Sequence, residues 1–220
     1  MKVFKYILIL LVVFLISGYF LLQNHSVQNR LFENTVRGLF QADEIFMSDA
    51  LSVAVCGSRA PLPSPNRAET CLLVQAGTSK FIIDSGRGSA DNLQRWRVDY
   101  SDLEAVILSH LHSDHISDLH EVQFQSWLGG RKTPLSVIGP VGTASTAQGF
   151  EQAFKLDSIY RSEHHGAILP IEAYGYDVVE FDGDSALIFQ NEDTSITAFK
   201  VDHFPCLLYT SDAADEKRCG

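Results

Sequence analysis

A run of metal-binding residue types directly after an apolar strand is the feature that most constrains this chain. Residues 109–115 read SHLHSDH and follow the apolar segment EAVIL at 104–108. A nearly continuous apolar segment predicts a strand buried on both faces, here over 104–109. His110 and His112 are two residues apart, so an extended strand end directs both imidazoles to the same side. The sequence therefore predicts a buried strand that ends in a polar cluster.

Four side chains of this cluster can bind a metal ion: His110, His112, Asp114 and His115. Imidazole and carboxylate groups suit zinc, and also iron or manganese. Asp114 and His115 are predicted to begin a helix, where the free backbone N–H groups favour a carboxylate. A polar loop with stray histidines is the alternative interpretation. Because one tetrahedral ion cannot use four donors at this spacing, the sequence predicts two neighbouring ions.

The N-terminus carries an apolar segment long enough to cross a membrane. Residues 6–22 (YILILLVVFLISGYFLL) are interrupted only by Ser17 and Gly18, and two lysines precede them. Such a helix spans about 26 Å, which is just enough for the hydrocarbon core. The lysines favour a cytoplasmic N-terminus and an exported body, periplasmic or secreted if the segment is cleaved. Residues 1–25 are interpreted as a membrane anchor, with a cleaved signal peptide or a buried soluble helix as alternatives.

Composition and net charge indicate the type of domain and the classes of molecule that it can bind. The 220 residues are 45% apolar and 20% charged, which is typical of one globular domain. All 27 acidic side chains but only 15 of the 17 basic ones lie after residue 25. Affinity for nucleic acids comes mainly from cationic neutralisation of phosphates, so a nucleic-acid partner is disfavoured, although a local basic groove stays open. No feature of the sequence sets the oligomeric state.

Strands and helices alternate along the rest of the chain. A connecting helix is expected over 26–50, followed by a domain over 51–205. Apolar patterns and turn residues predict strands at 51–56, 70–76, 80–84, 104–109, 134–140, 177–181, 186–190 and 195–201, and helices at 114–128 and 143–161. The expected fold class is mixed α/β (α+β). Two sheet layers flanked by helices fit this order better than one doubly wound sheet.

Several motifs together resemble one protein family. SHLHSDH is similar to the H-x-H-x-D-H motif of metallo-β-lactamase-fold hydrolases. The segments CGSRAPLPSPNRAETCLLV, FIIDSGRGS, VIGPVGT and VDHFP resemble the ribonuclease Z-like and arylsulfatase-like branch of that family. The resemblance covers residues 51–205. It implies an αββα sandwich whose second half is incomplete in this chain and which is preceded by the apolar helix.

The resemblance also implies a set of zinc ligands. His110 and His112, together with His203 of VDHFP, would bind the first zinc ion. Asp114 and His115 would bind the second. A complete site of this family is expected to hold two zinc ions.

Two aspartates have further roles by resemblance. Asp84, at the end of the strand 80–84, resembles the family's aspartate that supports the metal ligands through hydrogen bonds. Capping of the turn before Gly86 is the alternative. Asp114 is the candidate catalytic residue, because it would hold the attacking water and accept its proton. No residue is assigned to substrate binding.

The remaining histidines and cysteines have ordinary interpretations. His120 is expected to be structural, and the pair at 164–165 is expected to form a polar helix end, with contact to substrate as the alternative. Cys56 and Cys71 lie on strands expected to be adjacent. Export would permit a disulfide between them, and two unpaired core cysteines remain equally open.

Residues 206–220, CLLYTSDAADEKRCG, do not fit the resemblance. Members of the family continue with a segment whose aspartate bridges both metals and with a final histidine. Asp212 and Asp215 lie in no such context, and the tail lacks the periodicity of a helix or strand. The tail is therefore interpreted as non-native, and this chain is expected to bind closer to one zinc ion than two.

Three functions are consistent with these features. The first is a membrane-anchored, extracytoplasmic dinuclear zinc hydrolase that acts on a small phosphoester or sulfate ester. The second is a tRNA 3′-end processing endonuclease of the ribonuclease Z type, against which the acidic body and the export signal count. The third is an inactive metal-binding fragment.

Overall fold

The computed structural model describes residues 2–39, 51–62, 64–203 and 206–208. The chain divides into two compact units, residues 1–39 and 40–220. In chain order the described α-helices and strands are α1 (Lys2–Leu22), α2 (His25–Leu39), β1 (Leu51–Gly57), β2 (Cys71–Ala76), β3 (Ser79–Ile83), α3 (Ser89–Arg95), β4 (Leu103–Ile107), α4 (Ser113–Ile116), α5 (Leu119–Leu128), β5 (Leu135–Pro140), α6 (Thr143–His165), β6 (Tyr176–Phe181), β7 (Ser185–Gln190), β8 (Ser195–Phe199), β9 (Val201–His203) and β10 (Cys206–Leu208).

The first unit consists of two helices. Within α1, the segment Phe4–Leu22 has a mean hydropathy of 2.4 and none of it is buried, so it is long and apolar enough to cross a membrane. Gln23 and Asn24 separate α1 from α2, and the Asn24 Oδ1 caps α2 by accepting from the Ser26 backbone N–H at 2.9 Å. The predicted apolar helix is thus present, and its insertion in a membrane stays a prediction. The part of the expected connecting helix at 40–50 lies outside the described residues.

A six-stranded sheet forms the centre of the second unit, in the order β1-β2-β3-β4-β5-β6. Strands β1 to β3 pair antiparallel, and β3 to β6 pair parallel. The two-residue turn at Gly77 and Thr78 joins β2 to β3. Helices α3, α5 and α6 lie in the crossovers, because parallel neighbours need long connections. This arrangement confirms the predicted mixed α/β class.

The β7–β8 hairpin packs against one face of this sheet. Its Phe189 ring lies 4.8 Å from that of Phe81 in β3, and Ala198 joins the same apolar cluster with Ile107 and Ile138. Two sheet layers are therefore present, as predicted. The turn at 182–183 carries the chain from the first sheet to the second layer, and β6 and β7 do not pair with each other.

Apolar side chains of β1 are exposed. They lie on the same face of the six-stranded sheet as the β7–β8 hairpin, but the hairpin does not cover them. Leu51, Val53 and Val55 are 75%, 55% and 57% exposed. Val53 pairs directly with Val74, which packs into the cluster under the hairpin. Paired residues of adjacent strands point to the same face, so the hairpin covers the centre of this face and leaves its β1 edge open.

Apart from shifts of one or two residues at strand ends, three elements differ from the prediction. The helix expected over 114–128 is interrupted at Ser117 and Asp118, and this separates α4 from α5. Helix α6 continues to His165. The last part of the predicted strand 195–201 is a separate element: β8 ends at Phe199, and β9 pairs with β10 inside the tail, where no strand was expected.

A disulfide joins Cys56 of β1 to Cys71 of β2, with 5.0 Å between their Cα atoms. Both cysteines are fully buried. The disulfide closes the base of the connection between β1 and β2, which contains three prolines. Of the two interpretations left open by the sequence, the structure therefore contains the paired one.

Candidate metal centre

Three histidines from two distant parts of the chain converge beside the end of β4. His110 and His112 follow that strand, and His203 is the last residue of β9. One ring nitrogen from each lies within 4.8 Å of the others. A tetrahedral zinc ion with bonds of about 2.1 Å holds its ligand nitrogens about 3.4 Å apart. The three side chains therefore need only a small approach to hold one ion.

Burial favours the form of His110 that a metal requires. The side chain is 2% exposed. Burial, followed by the nearby His115, His112 and His203, lowers the pKa of His110 from 6.5 to about 3. The imidazole is therefore neutral at physiological pH, and neutral imidazole is the form that binds metal ions.

Asp114 and His115 lie next to this triad. They belong to the short helix α4 and are 4% and 1% exposed. The Asp114 Oδ2 and His115 Nε2 atoms are 3.6 Å apart, and the His115 ring centre lies 4.0 Å from that of His110. The pair thus borders the triad.

Asp84 directly follows β3 and contacts the cluster at two places, Ser109 before the first histidine and His115 in α4. Its carboxylate accepts three hydrogen bonds: from the Ser109 backbone N–H at 2.8 Å, the Ser109 hydroxyl at 2.7 Å and His115 Nδ1 at 2.7 Å. Its backbone is left-handed, with φ of 59°. That conformation costs a non-glycine residue roughly 1–2 kcal/mol. These contacts favour the predicted supporting role over simple capping of a turn.

The turn after Asp84 packs closely against α4. The Ser85 backbone N–H donates to the His115 carbonyl at 2.7 Å. A Cβ atom at Gly86 would collide with the Asp114 carbonyl oxygen and the Glu69 side chain. A glycine is needed there because no side chain fits between the two backbones.

The structure thus brings together all five predicted metal ligands and Asp84. It keeps His120 apart, because this ring stacks on Phe154 of α6 with 3.3 Å between ring centres, in agreement with a structural role. The pair at 164–165 ends α6, as predicted. Asp212 and Asp215 lie outside the described residues.

Sequence reasoning missed two residues near the cluster. Ser109 contacts Asp84 and two histidines, and its only signal was its place between the strand and the first histidine. Asp118 Oδ2 accepts from the backbone N–H groups of Gly88 and Ala90 at 2.8 and 3.1 Å. No pattern in the sequence marked that contact, because it joins segments 30 residues apart.

Comparison with known proteins identifies one matching family model and several similar proteins. The family model described as metallo-beta-lactamase superfamily matches residues 65–210. Ribonuclease Z of Mycobacterium marinum is 37% identical over 161 residues, which are 70% of this chain and 55% of that protein. Ribonuclease Z of Mycobacterium bovis is 39% identical over 132 residues, 57% of this chain and 47% of that protein. The chain thus spans about half the length of these relatives.

One solved structure supports the fold. The short form of human tRNase Z aligns with a TM-score of 0.54 and 20% identity, covering 70% of this chain and 61% of that one. At this level of identity the likeness concerns the arrangement of strands and helices alone.

Proposed function

The chain belongs to the metallo-beta-lactamase superfamily, and from this premise we propose that it acts in the metal-dependent hydrolysis of a phosphodiester. The observation that carries the proposal is the convergence of His110, His112 and His203 beside the Asp114–His115 pair. Hydrolysis of phosphodiesters is a reaction for which sites with two adjacent metal ions are well suited.

Zinc is the proposed metal. His110, His112 and His203 would hold one ion, and Asp114 and His115 would contribute to a second. Zinc held there would lower the pKa of a water molecule and polarise a phosphoryl oxygen. Asp114 would orient this water and accept its proton, while Asp84 keeps His115 and the end of β4 in position through its three hydrogen bonds.

RNA is the first candidate substrate. Relatives at 37% and 39% identity carry the name Ribonuclease Z. This similarity supports the tRNA-processing alternative more than the small-ester function that the sequence favoured. The acidic body counts against broad electrostatic binding of RNA, so recognition would depend on a local surface.

A phosphoester outside the cytosol is the second candidate, and two observations favour it. The Cys56–Cys71 disulfide is of a kind that persists in oxidising compartments. The helix α1 carries two lysines in its first turn, before the apolar run 6–22, and is apolar enough to anchor the chain with its body on the extracytoplasmic side. A sulfate ester remains within the same proposal, because the metal centre would polarise its oxygen in the same way.

The test compares substrates and chain lengths. The chain as printed, and a version extended from its source locus, would be assayed with zinc against three substrates: RNA with a 3′ extension, bis(p-nitrophenyl) phosphate and p-nitrophenyl sulfate. Zinc-dependent cleavage of RNA at one position supports the first candidate, and turnover of a small ester alone supports the second. A His110→Ala variant is the matched control. Equal activity of this variant would refute the metal-dependent mechanism.

A further inference from the structure

We propose that Ser109 is a positioning residue that sets which ring nitrogen of His110 carries the proton, so that the other nitrogen is ready to bind a metal. This inference rests on the proposed function and deepens it. It assigns a task to a side chain that is neither a metal ligand nor a reacting group.

The Ser109 side chain lies between a carboxylate and an imidazole. Its hydroxyl oxygen is 2.7 Å from Asp84 Oδ2 and 3.0 Å from His110 Nδ1. It is also 3.3 Å from His115 Nδ1, which lies closer to Asp84, at 2.7 Å. Ser109 is 1% exposed and Asp84 is 3% exposed, so water does not compete freely for these contacts.

The single hydroxyl proton of Ser109 can satisfy only one of these contacts. A carboxylate only accepts hydrogen bonds, so the hydroxyl donates to Asp84 Oδ2. The hydroxyl oxygen is then left as an acceptor toward His110. The 3.0 Å contact therefore requires a proton on His110 Nδ1. In the neutral ring the Nε2 atom then has a free lone pair.

The opposite assignment places two acceptors against each other. If Ser109 donated to His110 Nδ1, its oxygen would face the Asp84 carboxylate at 2.7 Å with no proton between them. Two buried oxygen lone pairs at that distance repel each other, and burial strengthens the repulsion. The hydrogen bond from Ser109 to Asp84 thus determines that His110 Nδ1 is the donor in its hydrogen bond with Ser109.

The remaining contacts of His110 agree with this assignment. Its Nε2 atom lies 2.9 Å from His112 Nδ1, which donates to it when no metal is bound. One carboxylate, Asp84, therefore orders two imidazoles: His115 directly and His110 through Ser109. The Ser109 backbone N–H holds the other carboxylate oxygen at 2.8 Å and so keeps Asp84 from rotating.

The proton on His110 can be measured directly in the full chain without metal. Histidine ring nitrogens report their protonation in ¹⁵N-edited NMR spectra. The wild-type chain is expected to show His110 protonated at Nδ1. Ser109→Ala is expected to shift His110 toward a mixture of both ring forms, and Ser109→Thr, which keeps the hydroxyl, is expected to retain the wild-type pattern.

Zinc affinity, measured by competition with a chelator, is the second measurement. Loss of a group that orients a ligand typically costs 10–100-fold in metal affinity, so Ser109→Ala should weaken zinc binding by about that factor. Ser109→Thr should stay within about threefold of wild type. Ser126→Ala is the matched control, because Ser126 is also buried and hydrogen-bonded but contacts Arg131 and Gln123. It should change neither measurement.

Two results would overturn the inference. One is a wild-type His110 protonated at Nε2, which needs no variant to fold. The other is a Ser109→Ala chain with unchanged ring protonation and zinc affinity. A wild-type chain that binds no zinc would refute the proposed function instead, while the ring protonation, measured without metal, still decides the role of Ser109.

Discussion

The histidines of the candidate centre come from different parts of the chain and have different neighbours. Ser109 is hydrogen-bonded to His110, and Asp84 is hydrogen-bonded to His115. Both imidazoles are buried. His203 is the last residue of β9, and its ring centre lies 5.1 Å from that of His110. At the scale of single residues, His203 is therefore the candidate ligand that comes from the most distant part of the chain.

Replacing His203 tests that ligand. His203→Ala would leave two imidazoles for the first ion, and three protein ligands is the number found in open zinc sites. Zinc affinity should therefore fall by more than the roughly 10–100-fold typical of groups that only support a ligand. Competition with a chelator measures this. His164→Ala, at the exposed end of α6, is the control and should bind zinc as wild type does. Equal affinity for His203→Ala would remove His203 from the site.

At the scale of elements, two contacts hold the segments around the centre. Asp118 lies in the break between α4 and α5, and its carboxylate accepts hydrogen bonds from backbone N–H groups at the start of α3. The Cys56–Cys71 disulfide ties the edge strand β1 to β2. Both join segments that are well separated in sequence, so each should contribute measurably to the stability of the second unit.

Asp118 should give the chain a specific dependence on pH. Burial is the main cause that raises the pKa of Asp118 from 3.8 to about 6, with further contributions from Asp91 and Glu121, against the lowering effect of the Ala90 and Gly88 backbone N–H groups. The folded state therefore holds this proton more tightly than the unfolded state. The contribution of Asp118 to the free energy of unfolding should fall as the pH rises from about 4 to about 6, and then stay constant.

Asp118→Asn provides the comparison, because an amide does not titrate. Urea unfolding of both chains, with a chelator present, would give the free energy of unfolding at several pH values. The wild-type value minus that of the variant should decrease over this range. A difference that is independent of pH would contradict the raised pKa of Asp118.

The disulfide should stabilise the unit that contains the centre. Its two cysteines are 15 residues apart in sequence. Closing a loop of that length lowers the entropy of the unfolded chain and is typically worth about 2–3 kcal/mol. The double variant Cys56→Ala, Cys71→Ala should lose about this much free energy of unfolding, measured in urea without reductant. Adding reductant should destabilise the wild type and leave the variant unchanged; insensitivity of the wild type would exclude a structural disulfide.

At the scale of the whole molecule, the two units have different surfaces. The first contains an apolar helix whose side chains are exposed along its length, and the second contains an acidic mixed α/β body. Apolar surface of that extent is stable in lipid and unfavourable in water. We therefore expect the first unit to determine where the chain resides in the cell.

Cell fractionation tests this expectation. The chain should appear in the membrane pellet and resist washing with high salt, because the attachment is apolar rather than electrostatic. A matched variant with Leu11→Arg and Phe14→Arg places two charges in the middle of α1 and should become soluble, since charged residues disfavour insertion. A soluble wild-type product that starts near residue 18 or later would indicate a cleaved signal peptide.

The sequence by itself determined the local features of this protein. The apolar alternation predicted most strands and the mixed α/β class, because burial of one face imposes that spacing on a strand. The cluster at 110–115 was visible because its members are neighbours in the chain. The resemblance to a known family, rather than spacing, connected His203 and Asp84 with that cluster.

Only the tertiary structure decided the contacts between distant segments. The Cys56–Cys71 pairing, the break at Asp118 and the bridge through Ser109 each depend on how strands β1 to β4 and their connections lie beside one another. Hydrogen bonds and disulfides are set by distances of a few ångströms between atoms. Local propensity does not predict interatomic distances between residues that are 15 to 30 positions apart in sequence. These contacts are therefore visible only in the folded chain.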